Sequence, residues 1–169
     1  MPAADSATRI RELLAFFRAT HYDVAMPNGC VATIRTGTRP PADVANWIGD
    51  AQFAVYMTSC NPYSRELSQD ENERRLDGFR SELRALEVDF LEGTGHIPGD
   101  TWREPSLLVR GLDIERIDHL ARMYEQNAVL IVPAHAPSRM RIYRLDWRSA
   151  AEPAEDIEWA NRDAGSKVG

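Results

Sequence analysis

The chain has few cysteines, no excess of positive charge and no long apolar run, and each absence excludes a class of protein. Its two cysteines, Cys30 and Cys60, lack the CxxC spacing of a redox or metal motif, so we expect packed, reduced thiols and a cytoplasmic setting. The net charge of −6 disfavours nucleic acid as a partner, because non-specific binding needs a basic surface. No apolar segment has the length of a membrane span, and no signal peptide is evident, so we expect no membrane partner.

The composition is instead that of a globular domain. Hydrophobic residues make up 43% and charged residues 27% of 169 residues, a length that can bury a core without disulfides or metals. From Ser149 onward the chain is acidic and rich in small residues, and it shows no periodicity before Ile157. We therefore predict a single α+β domain over residues 1–148 and an acidic, partly disordered tail over residues 149–169.

Hydrophobic periodicity and turn residues predict the elements of this domain. Asn28-Gly29 is typical of a tight β-hairpin turn, and Ser68 with Glu71 forms a capping box at a helix start. The first part of the chain is predicted to form helix 7–20, hairpin strands 22–25 and 30–34, and a short helix at 41–49. The next part is predicted to form strand 52–58, helix 68–86, strands 87–92 and 105–110, helix 113–125 and strand 127–132.

The later elements follow one another in the order βαββαβ. This order is that of a ferredoxin-like core, in which an antiparallel sheet carries both helices on one face. The glycine-rich segment 93–100 is predicted to be a mobile loop. A further strand at 139–145 extends the sheet, and its arginines predict an exposed, charged edge.

Three polar segments adjoin the predicted strands, at residues 58–64, 102–106 and 126–128. In a ferredoxin-like core the strand directions bring all three to the same edge of the sheet. We therefore predict one site there, with Glu104 as its general acid or base. The predicted ligand-binding residues are Asn61, Ser64, Asn72, Trp102, Ser106, Gln126 and Asn127.

Each of these residues also has a structural interpretation. Glu104 could accept backbone amides, Asn72 could tie its helix to a loop, and Trp102 could cover the core. Gln126 and Asn127 lie where a helix ends, and Asn is common there as a cap. The glycines of segment 93–100 do not match a phosphate-binding loop. His96, Asp100 and Glu104 have the spacing of metal ligands on a helix but lie in a predicted loop, and the other histidines show no partner spacing, so we predict no cofactor and no metal.

Five short segments of the chain, in their order and spacing, resemble those of a known protein family. They are Thr58–Ser64, Glu71-Asn72, Gly93–Gly95, Trp102–Ser106 and Tyr124–Ala128. Between about Tyr22 and Val132 the chain resembles the bacterial family catalogued as domain of unknown function 3293. The family usually has Ala-Trp before its Asn-Pro, where this chain has Ser59-Cys60. The resemblance implies that the polar edge is one site, and it implies no particular activity.

Two classes of function fit these features. The first is an enzyme, or at least a pocket protein, for a small polar or nucleotide-like molecule. Amide-rich sites suit neutral polar groups such as a base edge or a sugar. The alternative is a non-catalytic regulatory or protein-interaction module. A third interpretation, nucleic-acid binding on an open sheet face with Tyr56 exposed, is disfavoured by the acidic charge balance. The sequence predicts no oligomeric state.

Overall fold

The computed structural model of the protein describes residues 4–161, which form an α+β fold of four α-helices around one eight-stranded sheet. This confirms the predicted class. The helices are α1 (Ala7–Ala19), α2 (Ala42–Ile48), α3 (Gln69–Ala85) and α4 (Ile114–Met123). The strands are β1 (His21–Ala25), β2 (Val31–Ile34), β3 (Phe53–Met57), β4 (Phe90–His96), β5 (Arg103–Arg110), β6 (Ala128–Pro133), β7 (Arg139–Ile142) and β8 (Ile157–Trp159).

Side-chain caps mark the start of α1 and α3. Ser6 accepts a hydrogen bond from the backbone N–H of Arg9 at the start of α1. Ser68 and Glu71 form the predicted capping box at the start of α3, which satisfies two backbone donors that would otherwise lack partners.

The strands lie in the order β2-β1-β4-β5-β3-β6-β7-β8. All neighbouring strands pair in the antiparallel sense except β7 and β8, which are parallel. The β1–β2 hairpin therefore extends the sheet beyond β4, and the last two strands extend it beyond β6.

Both faces of the sheet are covered by helices. Along β3, Val55 and Met57 belong to the apolar layer under α3 and α4, whereas Ala54 and Tyr56 belong to the layer under α1 and α2. This alternation follows from the two-residue period of a strand. Tyr56 is only 3% exposed, so the expectation of an open sheet face with an exposed Tyr56 is wrong.

The glycine-rich segment is a strand where the sequence predicts a mobile loop. β4 runs to His96, and Gly93 pairs with Val24 of β1 on one side and with Ser106 of β5 on the other. The prediction is wrong for residues 93–96, and the strand predicted at 87–92 begins later, at Phe90. The reason is that β1 supplies a neighbour on the outer side of β4, which local sequence does not reveal.

Substituting Gly93 by alanine is expected to destabilise the protein. A Cβ atom at this position would lie 2.6 Å from the backbone oxygen of Asp23 and 2.7 Å from the Tyr56 hydroxyl oxygen. Since a strand backbone cannot yield easily, we expect Gly93→Ala to lower the free energy of unfolding by about 2 kcal/mol in urea titrations. As a control, a Cβ atom at Gly78 of α3 would meet no atom within 4 Å, so Gly78→Ala should stabilise by about 1 kcal/mol. Equal stability of Gly93→Ala and native protein would contradict the close contact.

The C-terminal part of the chain packs against the sheet. β7 lies between β6 and β8, and Arg141 and Arg144 are 9% and 7% exposed, so the prediction of a charged, exposed edge at β7 is wrong. Within the segment predicted as a tail, Ile157–Trp159 forms β8 and Ala160 is buried. Residues 162–169 of the predicted tail lie outside the described residues. None of the helices in the described part of the chain has both the length and the apolar character needed to cross a membrane.

Candidate functional site

A cavity of about 380 Å³ lies between α1 and the sheet, where β3 ends and where β5 and β6 begin. Its walls include residues of all three polar segments predicted to meet at one edge. Seven of the eight predicted site residues line it: Asn61, Ser64, Trp102, Glu104, Ser106, Gln126 and Asn127. Asn72 is the exception, since it lies on α3 behind Asn61.

The segment after β3 has an unusual backbone. Asn61, Tyr63 and Ser64 all have positive φ angles, of 47°, 51° and 57°, in a region that residues with a side chain rarely adopt. Surrounding contacts hold this conformation, because the Tyr63 N–H donates to the Glu125 carbonyl at 2.6 Å and the Asn127 side-chain amide donates to Ser64 Oγ at 2.9 Å. Strained backbone persists only where its surroundings enforce it, and such segments cluster at functional sites.

Asn61 connects this segment to two other elements. Its Oδ1 accepts from Asn72 Nδ2 at 2.8 Å and from the Leu67 N–H at 3.0 Å, while its own backbone N–H donates to Asn72 Oδ1. Its Nδ2 donates to Glu104 Oε1 at 2.8 Å. The amide oxygen of Asn61 is therefore occupied by protein donors, and its amide nitrogen holds Glu104. Asn72 positions Asn61 and does not line the cavity.

Glu104 is the carboxyl group on the inner wall of the cavity. It is half-buried on the α1 side of β5, and none of residues 4–161 donates a hydrogen bond to its Oε2. Burial raises the pKa of Glu104 from its ordinary 4.5 to about 7, although the hydrogen bond from Asn61 acts in the opposite direction. Near neutral pH the side chain is thus divided between its protonated and ionised forms, so it can either donate or accept a proton.

The remaining predicted polar residues bind mainly to other parts of the protein. Gln126 Nε2 donates to the Cys60 and Tyr124 carbonyls, at 3.0 Å each. Asn127 Nδ2 holds Ser64, and Ser106 Oγ donates to the Glu104 carbonyl at 3.2 Å. These bonds join the end of α4 and the start of β6 to the segment after β3. They make the wall of the cavity rigid.

Helix α1 forms the opposite wall, which the sequence did not predict. Phe16 packs edge-on against Trp102 with ring centroids 4.7 Å apart, and Leu13 and Phe17 line the same wall. The mouth of the cavity is lined by three exposed, charged side chains: Arg9, Glu12 and Glu66. The Phe16-Phe17 pair is the sequence signal that indicates this wall. Phe16 falls outside the buried stripe of α1, and an aromatic ring there indicates a contact beyond the core.

The two cysteines have different environments. Cys60 is 1% exposed, its thiol lies near the Pro105 and Asn72 carbonyls, and burial raises its pKa. Cys60 therefore packs behind the cavity wall, as predicted. Cys30 is exposed, so the expectation that both thiols are packed is wrong for Cys30.

Residues 4–161 contain no cluster of three His, Cys, Asp or Glu side chains suited to a metal ion.

These features define an α+β protein with an aromatic and polar cavity that contains a half-buried carboxyl group. The model of the family described as Protein of unknown function (DUF3293) matches residues 57–129, so this segment of the chain belongs to that family. The match is shorter than the predicted resemblance from Tyr22 to Val132, yet it contains all eight predicted site residues. Searches of curated proteins and of solved structures found no match.

Proposed function

We propose that the cavity binds a small polar or nucleotide-like molecule and that Glu104 acts on it as a general acid or base. The observation that carries this proposal is the one-sided environment of the carboxyl group. Asn61 holds Oε1 at 2.8 Å, while Oε2 has no donor among the described residues and Glu104 lines the cavity. The volume of about 380 Å³ is within the usual range for small-molecule sites.

The pKa of about 7 suits this role, because a general acid or base works best when its pKa is close to the working pH. The bond from Asn61 fixes the orientation of the carboxyl group and leaves Oε2 as the atom that meets the ligand. A bound molecule with an exchangeable proton near Oε2 would lose it to the ionised form of Glu104 or gain one from the neutral form.

Removing the Asn61 side chain is expected to weaken ligand binding. Asn61→Gly keeps a residue that tolerates the positive φ angle and removes the amide that holds Glu104. In NMR titrations with a library of nucleobases, nucleosides, sugars and amino acids, compounds that shift the signals of cavity residues in the native protein should bind Asn61→Gly about tenfold more weakly. Asn28→Ala, a change in the distant β1–β2 turn, is the control. Equal affinities for native protein and Asn61→Gly would contradict a role for Asn61.

A non-catalytic binding function is the second candidate. It is favoured by the observation that the hydroxyl groups near Glu104 are bound elsewhere, since Thr58 donates to the Pro105 carbonyl and Ser106 to the Glu104 carbonyl. Neither of these two hydroxyl groups is then free to act as a second proton-transfer group. Prolonged incubation of a bound compound with the native protein distinguishes the two functions, because full recovery of unchanged compound favours binding alone.

The finer features of the fold and setting are also proposals. We propose that β3, α3, β4, β5, α4 and β6 form a ferredoxin-like core, which is supported by the antiparallel order β4-β5-β3-β6 and by the packing of both helices on one face. A cytoplasmic setting is supported by the unpaired Cys30 and Cys60. The resemblance supports a bacterial origin, and the net charge of −6 supports the lack of a nucleic-acid partner.

A further inference from the structure

The cavity lining is aromatic and acidic. Three carboxyl groups, of Glu12, Glu66 and Glu104, line it together with one guanidinium group, that of Arg9. Glu104 is the charged residue of the inner wall, whereas the other three are exposed at the mouth. Aromatic rings supply much of the remaining surface: Phe16, Phe17, Tyr22, Tyr56 and Trp102. Such a lining favours a flat ring and disfavours an anion next to Glu104.

Four of the hydroxyl groups that line the cavity can accept hydrogen bonds but have already used their protons. They donate to backbone carbonyls at 2.7–3.2 Å in four cases: Tyr22 to Phe17, Tyr56 to Asp23, Thr58 to Pro105 and Ser106 to Glu104. Gln126 likewise uses its Nε2 on two carbonyls, and its Oε1 has no donor among residues 4–161. Together with Glu104 Oε2, this wall therefore presents lone pairs to a ligand. A ligand that supplies N–H donors satisfies them.

We propose that the cavity selects a flat ring that bears an amidine-type N–C–N group with N–H donors. We propose also that it rejects the same ring when the ring bears a carboxylate instead. The inference rests on the proposed ligand-binding function of the same cavity. The ring packs against Phe16 and Trp102, whose centroids are 4.7 Å apart, and the N–H group donates to Glu104 Oε2. An amidinium makes a charge-assisted hydrogen bond there, which is about twice as strong as a neutral one. Aminopyrimidine rings of nucleobases carry the same N–C–N arrangement without the charge.

Four probes of similar size test this chemistry in the 169-residue chain. Benzamidine, benzamide and benzoate share one ring and differ in charge, and 2-aminopyrimidine places the N–C–N group in a neutral ring. In ¹⁵N NMR titrations we expect benzamidine to bind at least about tenfold more tightly than benzoate, with shifts at Phe16, Trp102 and Glu104. The preference should largely disappear in Glu104→Gln and persist in Glu152→Gln, a matched change at an exposed residue. Tighter binding of 2-aminopyrimidine than of benzamidine would assign the site to nucleobase-like rings, and the reverse order to cationic amidines.

Three results would overturn the inference. They are equal or tighter binding of benzoate, a preference for benzamidine that survives in Glu104→Gln, and the lack of any shift with all four probes. If an anionic compound from the wider library shifts the same cavity signals, the binding function stands and only the ligand class is wrong. If neither the library nor the probes shift those signals, the proposed function is wrong as well.

Discussion

At pH 8 the Glu104→Gln variant should be more stable than the native protein by about 3 kcal/mol, and at pH 5 its advantage should fall below about 1 kcal/mol. The reason is the burial of a carboxyl group that no cation accompanies on the inner wall. Glutamine has nearly the shape of the protonated acid, and its side-chain oxygen can still accept the hydrogen bond from Asn61.

The direction of this pH dependence follows from the raised pKa of Glu104. Below its ordinary value of 4.5 the group is protonated in both the folded and the unfolded protein, so it costs no stability. Between about pH 4.5 and pH 7 the unfolded chain is ionised, whereas ionisation in the folded protein must take place in the half-buried, poorly solvated site. The native protein therefore loses stability across this interval, and the variant does not.

Urea titrations at pH 5, 6, 7 and 8 measure the effect as a difference in unfolding free energy between the two proteins. Glu152→Gln, at an exposed position, is the control and should differ from the native protein by the same small amount at every pH. A difference between Glu104→Gln and native protein that stays constant from pH 5 to pH 8 would show that Glu104 is ionised normally, and the acid–base proposal would then lose its support.

A second large effect is expected at the buried ion pair between α4 and β7. Both carboxylate oxygens of Asp118 accept from Arg141, at 2.7 Å each, and Oδ1 also accepts from the Tyr143 hydroxyl at 2.8 Å. Burial alone would raise the pKa of Asp118, but the hydrogen bonds from Arg141 and Tyr143 outweigh it and lower the pKa. Asp118→Ala leaves the guanidinium of Arg141 buried, with Glu158 of β8 as its remaining carboxylate partner among residues 4–161. We expect a loss of about 3 kcal/mol in unfolding free energy.

The matched comparison replaces both partners. Because a buried ion pair is costly to break from one side but not to exchange for apolar residues, Asp118→Leu combined with Arg141→Met should lose less stability than Asp118→Ala. Glu115→Ala, on the exposed side of α4, should change stability little. All variants can be compared by urea titration at pH 7. A double variant less stable than Asp118→Ala would contradict this account of the pair.

The sequence predicts those parts of the fold that depend on local signals. Ser68 with Glu71 marks the start of α3, and Asn28-Gly29 marks the β1–β2 turn, because caps and tight turns depend on neighbouring residues. The strand over residues 93–96 is not predicted because the reason for a glycine at position 93 lies far away in the sequence. The backbone of Asp23 and the side chain of Tyr56 leave no room there for a Cβ atom. The same holds for β8, whose pairing with β7 could not be predicted from local periodicity.

For the candidate site, the sequence predicts the position better than the role of each residue. The polar segments around Asn61, Glu104 and Asn127 do line one cavity, because strand order and direction bring them together. The hydrogen-bonding role of each residue depends on side-chain geometry. In the structure the amide nitrogens of Asn61 and Asn127 donate to Glu104 and Ser64, which are themselves part of the cavity wall. The contribution of α1 to the cavity could not be predicted, because it depends on which face of the sheet the helix covers.

Helix α1 lies outside residues 57–129, although its Phe16 lines the cavity and packs against Trp102. A fragment limited to the family segment would also lack β1 and nearly all of β3, the strand that lies between β5 and β6. That segment is therefore a unit of sequence similarity and not a unit of folding. The chemistry of Glu104 and the aromatic wall opposite it can therefore be changed independently, because one comes from within the segment and the other from the helix that precedes it.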